Sequence, residues 1–235
     1  MKHFFRESLT ILAILGGLLG MIWSFHLGPV ILAVASLFVV AAGGAILIVR
    51  YVQSRRPQFT ISTLRKDLHL MDADGHRATF ERQMVATSNA DGLKEVWYRN
   101  VAADGTIENI QINGRTPGTD DVVRQLGMLH IRITFEQPLK AGQPVNETVS
   151  YDLIDSFLKE SEALIHMVNN QTKWLYLAVH FPAERKFKRA RLTEMYGGAE
   201  PRHLNDLENI TGEGKAEFSL EDPKLGGSYE LRWEW

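Results

Sequence analysis

Cysteine is absent from all 235 residues, which excludes disulfides and thiolate metal sites and permits a reducing compartment. An excess of one charge is lacking too. The 26 Lys and Arg against 28 Asp and Glu leave a formal net charge of -2, so bulk nucleic-acid binding through phosphate contacts is not expected. Four signatures of common enzymes are missing: H-E-x-x-H, G-x-S-x-G, G-x-x-x-x-G-K-[ST] and G-x-G-x-x-G. The histidines His69, His76, His130, His166, His180 and His203 are scattered, with no H-x-H or i,i+4 pair of metal-ligand spacing. The carboxylate pairs Asp120-Asp121 and Asp152 with Asp155 are of a kind common on solvated surfaces. The expectation is therefore no catalytic residue, no metal, no cofactor and no enzymatic activity.

Charged residues are also missing from Ser8 to Val49, where His26 is the only titratable side chain. A turn at Gly28-Pro29 splits this run into 9–25 and 30–49, each close to the length that a hydrocarbon core of about 30 Å requires. The sequence thus predicts a transmembrane helical hairpin over residues 1–50. A cleaved signal peptide is the competing reading, but the small-x-small triplet Ala33-Val34-Ala35 lies too far from the basic start. Lys2, Arg6, Arg50, Arg55 and Arg56 flank a hairpin turn without Lys or Arg, which places both termini of a multi-pass membrane protein in the cytoplasm. Gly16, Gly20, Ala41 and Ala45 supply small-residue steps for helix packing, within one hairpin or in a homo-oligomer.

Residues 51–58 read as a basic juxtamembrane linker ending near Pro57. Beyond it, residues 59–235 alternate with the period of strands. Asp74-Gly75, Asp91-Gly92 and Asp104-Gly105 separate the stretches 68–71, 78–86, 93–101 and 106–112, which predicts a four-stranded antiparallel meander. Further strands are predicted over 128–135, 145–153, 174–181, 187–192, 216–220 and 229–235. Tyr229, Leu231, Trp233 and Trp235 alternate with Glu230, Arg232 and Glu234, so four large apolar groups share one face. The stretch 156–168 reads as a short helix through Phe157, Leu158, Ala163, Leu164 and Met167. About ten strands point to an antiparallel β-sandwich or a partly closed barrel. Asp72, Asp74, Gly75 and Glu81 mimic a calcium loop, but Leu70 at its first position cannot ligate, and a hairpin turn explains the residues better.

One cationic cluster stands out: Arg185, Lys186, Lys188, Arg189 and Arg191, with Phe187 among them. On a strand, Arg189 and Arg191 share a face with Phe187, which would suit an anionic nucleotide held by guanidinium groups and stacked on the ring. Two other readings stay open: an edge strand guarded by cations, and contact with anionic lipid. In layout, two N-terminal hydrophobic spans, a basic linker and a β-rich domain, the chain resembles the two-transmembrane β-domain effectors of bacterial cyclic-oligonucleotide antiphage defence. That resemblance implies a place in the bacterial inner membrane and a cytosolic domain that binds a nucleotide messenger or protein partner and controls membrane disruption by the helices. It rests on layout, and no motif residue carries over. The alternative is a membrane-anchored protein-binding or scaffold module without pore activity.

Overall fold

The computed structural model describes residues 57–196, 200–209 and 212–235, all of them within one compact unit, Pro57–Trp235. Among these residues the chain forms thirteen strands and a single 3-10 turn at Thr119–Asp121. The strands are β1 (Phe59–Leu70), β2 (Arg77–Ser88), β3 (Leu93–Val101), β4 (Thr106–Ile112), β5 (Val122–Gln125), β6 (Met128–Leu139) and β7 (Pro144–Ile154). They continue as β8 (Ser161–Met167), β9 (Gln171–His180), β10 (Arg189–Met195), β11 (Arg202–Glu208), β12 (Lys215–Glu221) and β13 (Ser228–Glu234).

Three sheets result, with strand orders β12-β9-β1-β2-β7-β4, β11-β10-β13-β8 and β3-β6-β5. Every pairing is antiparallel except that of β1 with β9. One cluster of buried apolar side chains draws on all three sheets, including Leu68, Leu177, Ile131 and Leu231. In β13 the expected alternation is present: Tyr229, Leu231, Trp233 and the following Trp235 are buried. Trp233 meets Phe157 and Phe181 at ring-centroid distances of 5.8 and 6.2 Å.

A bulge in β1 governs what faces the core. Its register against β2 slips between Ile61 and Thr63, so the buried set changes from Phe59 and Ile61 to Leu64, Leu68 and Leu70. An extra residue in one strand of a pair re-aims every side chain beyond it. Lys66 is thereby turned into the core, while Arg65, Asp67 and His69 take the outer face.

Several expectations are corrected. The predicted meander is one hairpin: β1 pairs with β2, but β3 pairs with β6 and β4 with β7. The three Asp-Gly pairs look alike in sequence, but the third differs from Gly75 and Gly92, which both take a positive φ. Gly75 has a φ of +78°, the left-handed turn that Asp-Gly favours, whereas Gly105 is not among the positive-φ glycines. At Gly105 a Cβ would run into the carbonyl oxygen of Ile154, so close backbone approach is what requires glycine there. The helix expected over 156–168 is replaced by β8, which pairs with β13 through Leu164 and Leu231. The two-sheet sandwich or barrel of about ten strands becomes three sheets, with β5, β8 and β11 the strands not foreseen.

The expected transmembrane spans at 9–25 and 30–49, with Gly16, Gly20, Ala41 and Ala45, lie outside the described residues. Among the described residues no helix is long and apolar enough to cross a membrane. The assignments of a transmembrane hairpin fold and of a multi-pass inner-membrane location find no support in the structure and are withdrawn.

Candidate functional site: a cationic cavity between the sheets

Lys66 on β1 and Arg82 on β2 are register partners. Both lie in the inward-facing row, Lys66 between Leu64 and Leu68 and Arg82 between Phe80 and Met84, all four of which are buried. Like charges placed directly opposite on paired strands repel, and buried cations are ordinarily paired. Neither cation belongs to any ion pair among the described residues.

The remaining partners of the two cations are weak. Lys66 Nζ donates to the carbonyl of Ile165 at 3.2 Å and lies 5.7 Å from the centre of the Phe80 ring. Arg82 Nη2 reaches the Met84 sulfur at 3.2 Å, and its guanidinium sits 4.8 Å from the centre of the Tyr98 ring. Arg82 Nη1 is buried without a hydrogen-bond partner. A buried donor left unmade costs about 1 to 3 kcal/mol, more when it is charged.

These side chains line a cavity of about 750 Å³, within the range of roughly 300 to 1,000 Å³ typical of sites for small organic ligands. The six-stranded sheet contributes Lys66, Arg82 and Tyr151, β3 contributes Tyr98, and β8 contributes His166. Phe80 and Tyr151 stack beside them at 4.7 Å. The carboxylates in the lining are Asp104 and Glu162. Asp104 pairs with the Lys159 ammonium, and Glu162 accepts from the Lys159 backbone N–H at 2.8 Å. Both carboxylates are thus engaged by Lys159.

The electrostatics of the cavity agree with an excess of positive charge. Burial lowers the Lys66 ammonium below its ordinary value, Tyr98 opposes that shift, and the nearby Arg82 adds a smaller lowering of its own. Burial also lowers Arg82, which remains protonated at any physiological pH. It pushes the Tyr151 phenol well up, with Tyr98 adding to the effect. The His166 imidazole is held well below 6.5, first by burial and then by Lys66 and Arg82. Glu147 is raised by burial, against the hydrogen bond that Asn113 donates at 3.0 Å and the attraction of Arg82, whose charge it partly offsets.

His166 leads to a pH prediction. Its folded-state pKa lies below the unfolded value, so the unfolded chain binds a proton that the folded chain refuses as pH falls below about 6.5. The stabilisation is complete above that pH and is lost as pH drops toward the folded value. Melting temperature is expected to fall from pH 7 toward pH 5, and the slope to flatten in His166→Gln, both read by circular dichroism.

The residues singled out in the sequence lie elsewhere. Arg189 and Arg191 share the outer face of β10, where both bind Asp206 of β11, at 3.1 and 3.0 Å. Arg191, then Arg189 and His203, hold the Asp206 carboxyl well below the usual carboxylate range. Phe187 does not share that face: it precedes the strand, is buried, and packs on Phe181 at 5.0 Å. Arg185 lies over the Trp235 ring at 3.9 Å and donates to the Ala73 carbonyl at 2.8 Å. Lys188 is exposed, its backbone N–H bonded to Glu234, and the Lys186 ammonium approaches Gly214. The cavity residues did leave a trace in the sequence. Lys66 interrupts Leu64, Leu68 and Leu70, and Arg82 interrupts Ala78, Phe80, Met84 and Ala86, each at an otherwise apolar period-2 position.

No family model matches the chain, and no curated protein matches it. Among solved structures it is similar to an M1 zinc metallopeptidase from Deinococcus radiodurans (10% identity, 75% of this chain, 42% of that chain, TM-score 0.41). It is also similar to a putative protease from Parabacteroides distasonis (12% identity, 76% and 40% of the two chains, TM-score 0.43). A third is yeast LTA4 hydrolase in complex with bestatin (7% identity, 74% and 28%, TM-score 0.40). This chain spans less than half the length of each, and at such scores the likeness assigns neither fold nor chemistry. These structures are those of peptidases and a hydrolase, and none is of an antiphage membrane effector. The effector reading and its membrane-anchored scaffold alternative find no support among the described residues, where no helix is long and apolar enough to cross a membrane, and they are withdrawn together with the expectation of no enzymatic activity.

Proposed function

We propose that this domain is a receptor for a small organic anion, a carboxylate on an apolar body, held in the cavity between the sheets. The observation that carries the reading is the inward pair Lys66 and Arg82, opposite one another in register and in no ion pair among the described residues, with Nη1 of Arg82 unpartnered and the charge of Glu147 only partly offsetting the two cations. An anionic ligand would relieve their repulsion and satisfy Arg82 Nη1, while Leu64, Leu68, Phe80, Met84, Val96 and Ile133 offer apolar contact. A planar guanidinium suits a carboxylate in particular, because both oxygens can be met at once.

The test is a calorimetric titration of the full-length protein with a medium-chain carboxylic acid and with its primary amide. A hydrogen bond to a charged group contributes about 1.5 to 3 kcal/mol, so the acid is expected to bind roughly 10- to 100-fold more tightly than the amide. Affinity for the acid is also expected to fall as pH rises through the alkaline range. Burial lowers the free Lys66 ammonium from 10.5, and a bound anion raises it again. Between those two values binding must take up a proton, which weakens it as pH increases. Equal affinity for acid and amide would sink the reading.

A further inference from the structure

On the outer face of the same six-stranded sheet, the bulge in β1 brings together Asp67, His69 and His180. Asp67 and His69 stand two residues apart on one face of β1, and His180 on β9 is the register partner of His69. The two imidazoles stack at a centroid distance of 4.0 Å with 9° between their planes. One ligand atom from each of the three residues lies within 4.8 Å of the others. From these positions we infer a binding site for a divalent first-row transition ion, zinc above all, with two imidazoles and one carboxylate as ligands.

The donor set suits that chemistry, since imidazole and carboxylate both bind zinc, at about 2.0 to 2.2 Å. Tetrahedral ligation places neighbouring donor atoms roughly 3.3 Å apart, so the three side chains need to close by at most about 1.5 Å from their separation of up to 4.8 Å, with one imidazole turning out of the stack so that both in-plane lone pairs meet the ion. Asp67 is already oriented for this. Arg65 grips it through Nε at 2.6 Å and Nη2 at 2.9 Å, the kind of supporting contact that positions ligating carboxylates. His180 Nε2 is hydrogen-bonded to Asp67 Oδ1 at 3.1 Å, so the ion would take the place of the proton shared by these two atoms.

The site is open on one side. The His180 side chain keeps 29% of its surface exposed against 10% for Asp67, which gives the ion an entry path and leaves a coordination position for water. Glu217, bonded to Arg65 and paired with Lys215, and Glu81, the register partner of Asp67, supply further negative charge around the site. Sequence spacing could not reveal this grouping, because His69 and His180 meet only through the parallel pairing of β1 with β9.

The experiment is equilibrium dialysis of the full-length protein against zinc chloride, with bound metal measured by mass spectrometry, repeated for His69→Gln, His180→Gln and Asp67→Asn. About one zinc per chain is expected for the wild type, with affinity lowered at least 10-fold in each variant, and circular dichroism checks that each is folded. Cobalt added in place of zinc should give the intense visible bands of a four-coordinate site in the wild type and lose them in His180→Gln. Should one variant fail to fold, the other two and the cobalt spectrum decide. Absence of bound zinc in the wild type, or unchanged zinc affinity in folded His69→Gln and His180→Gln, would overturn the inference.

Discussion

Arg82→Met is expected to raise the melting temperature of the ligand-free protein while removing its affinity for organic anions. The two effects have one cause. Arg82 sits opposite Lys66, half-buried and with an enclosed Nη1 that lacks a partner, so the folded state carries the cost of a partly desolvated cation beside another cation. Replacing buried ionic groups with well-packed apolar ones stabilises by as much as about 1 to 4 kcal/mol, and at this domain size each kcal/mol corresponds to roughly 2 to 4 °C. The methionine chain fills much of the same volume beside Phe80 and Met84. Scanning calorimetry of the two proteins, with and without a carboxylic acid, gives the answer. The expected pattern is a higher melting temperature without ligand and no further rise when the acid is added. A lower melting temperature with acid binding retained would show that Arg82 is structural and that the cavity is not an anion site.

Trp233→Ala is expected to be the most damaging single core change, costing about 3 to 5 kcal/mol, or roughly 6 to 20 °C. Trp233 is 1% exposed and lies against Phe157 and Phe181, on β13 at the centre of its sheet between β10 and β8. Its indole N–H has no hydrogen-bond partner, so the ring contributes through packing. Trp233→Phe, which keeps an aromatic ring there, should therefore cost under about 2 kcal/mol. Chemical denaturation of the three proteins measures the order, and equal losses for Ala and Phe would contradict a packing role.

The closing strand was legible because its pattern is one-sided: Tyr229, Leu231 and Trp233 go in, and Glu230, Arg232 and Glu234 point away. β8 was not legible because its pattern is inverted. Its inward residues include Glu162 and His166, which line the cavity, while Ile165 and Met167 are 53% and 56% exposed. A strand that serves a polar cavity loses the alternation by which strands are recognised, and the remaining apolar residues then imitate a helical stripe. β11 escaped for a related reason. It is an edge strand with polar residues on both faces, and its Asp206 is the group that occupies Arg189 and Arg191. A run of cations visible in the sequence thus acquired its partner from a strand that the sequence did not announce. The Lys66 and Arg82 pair needed the bulge at Ile61 and Thr63, a one-residue slip that reverses which face every later side chain of β1 takes.

The most direct test of an anion held between the sheets is photo-crosslinking with a medium-chain carboxylic acid that carries a diazirine on its chain, followed by mapping of the labelled peptides. Label is expected on peptides of β2, β3 and β8 that line the cavity, suppressed by excess unlabelled acid and lost in Arg82→Met. Label spread over exposed apolar residues such as Met71, Leu126 and Leu225, and unchanged by either the competing acid or the substitution, would contradict it.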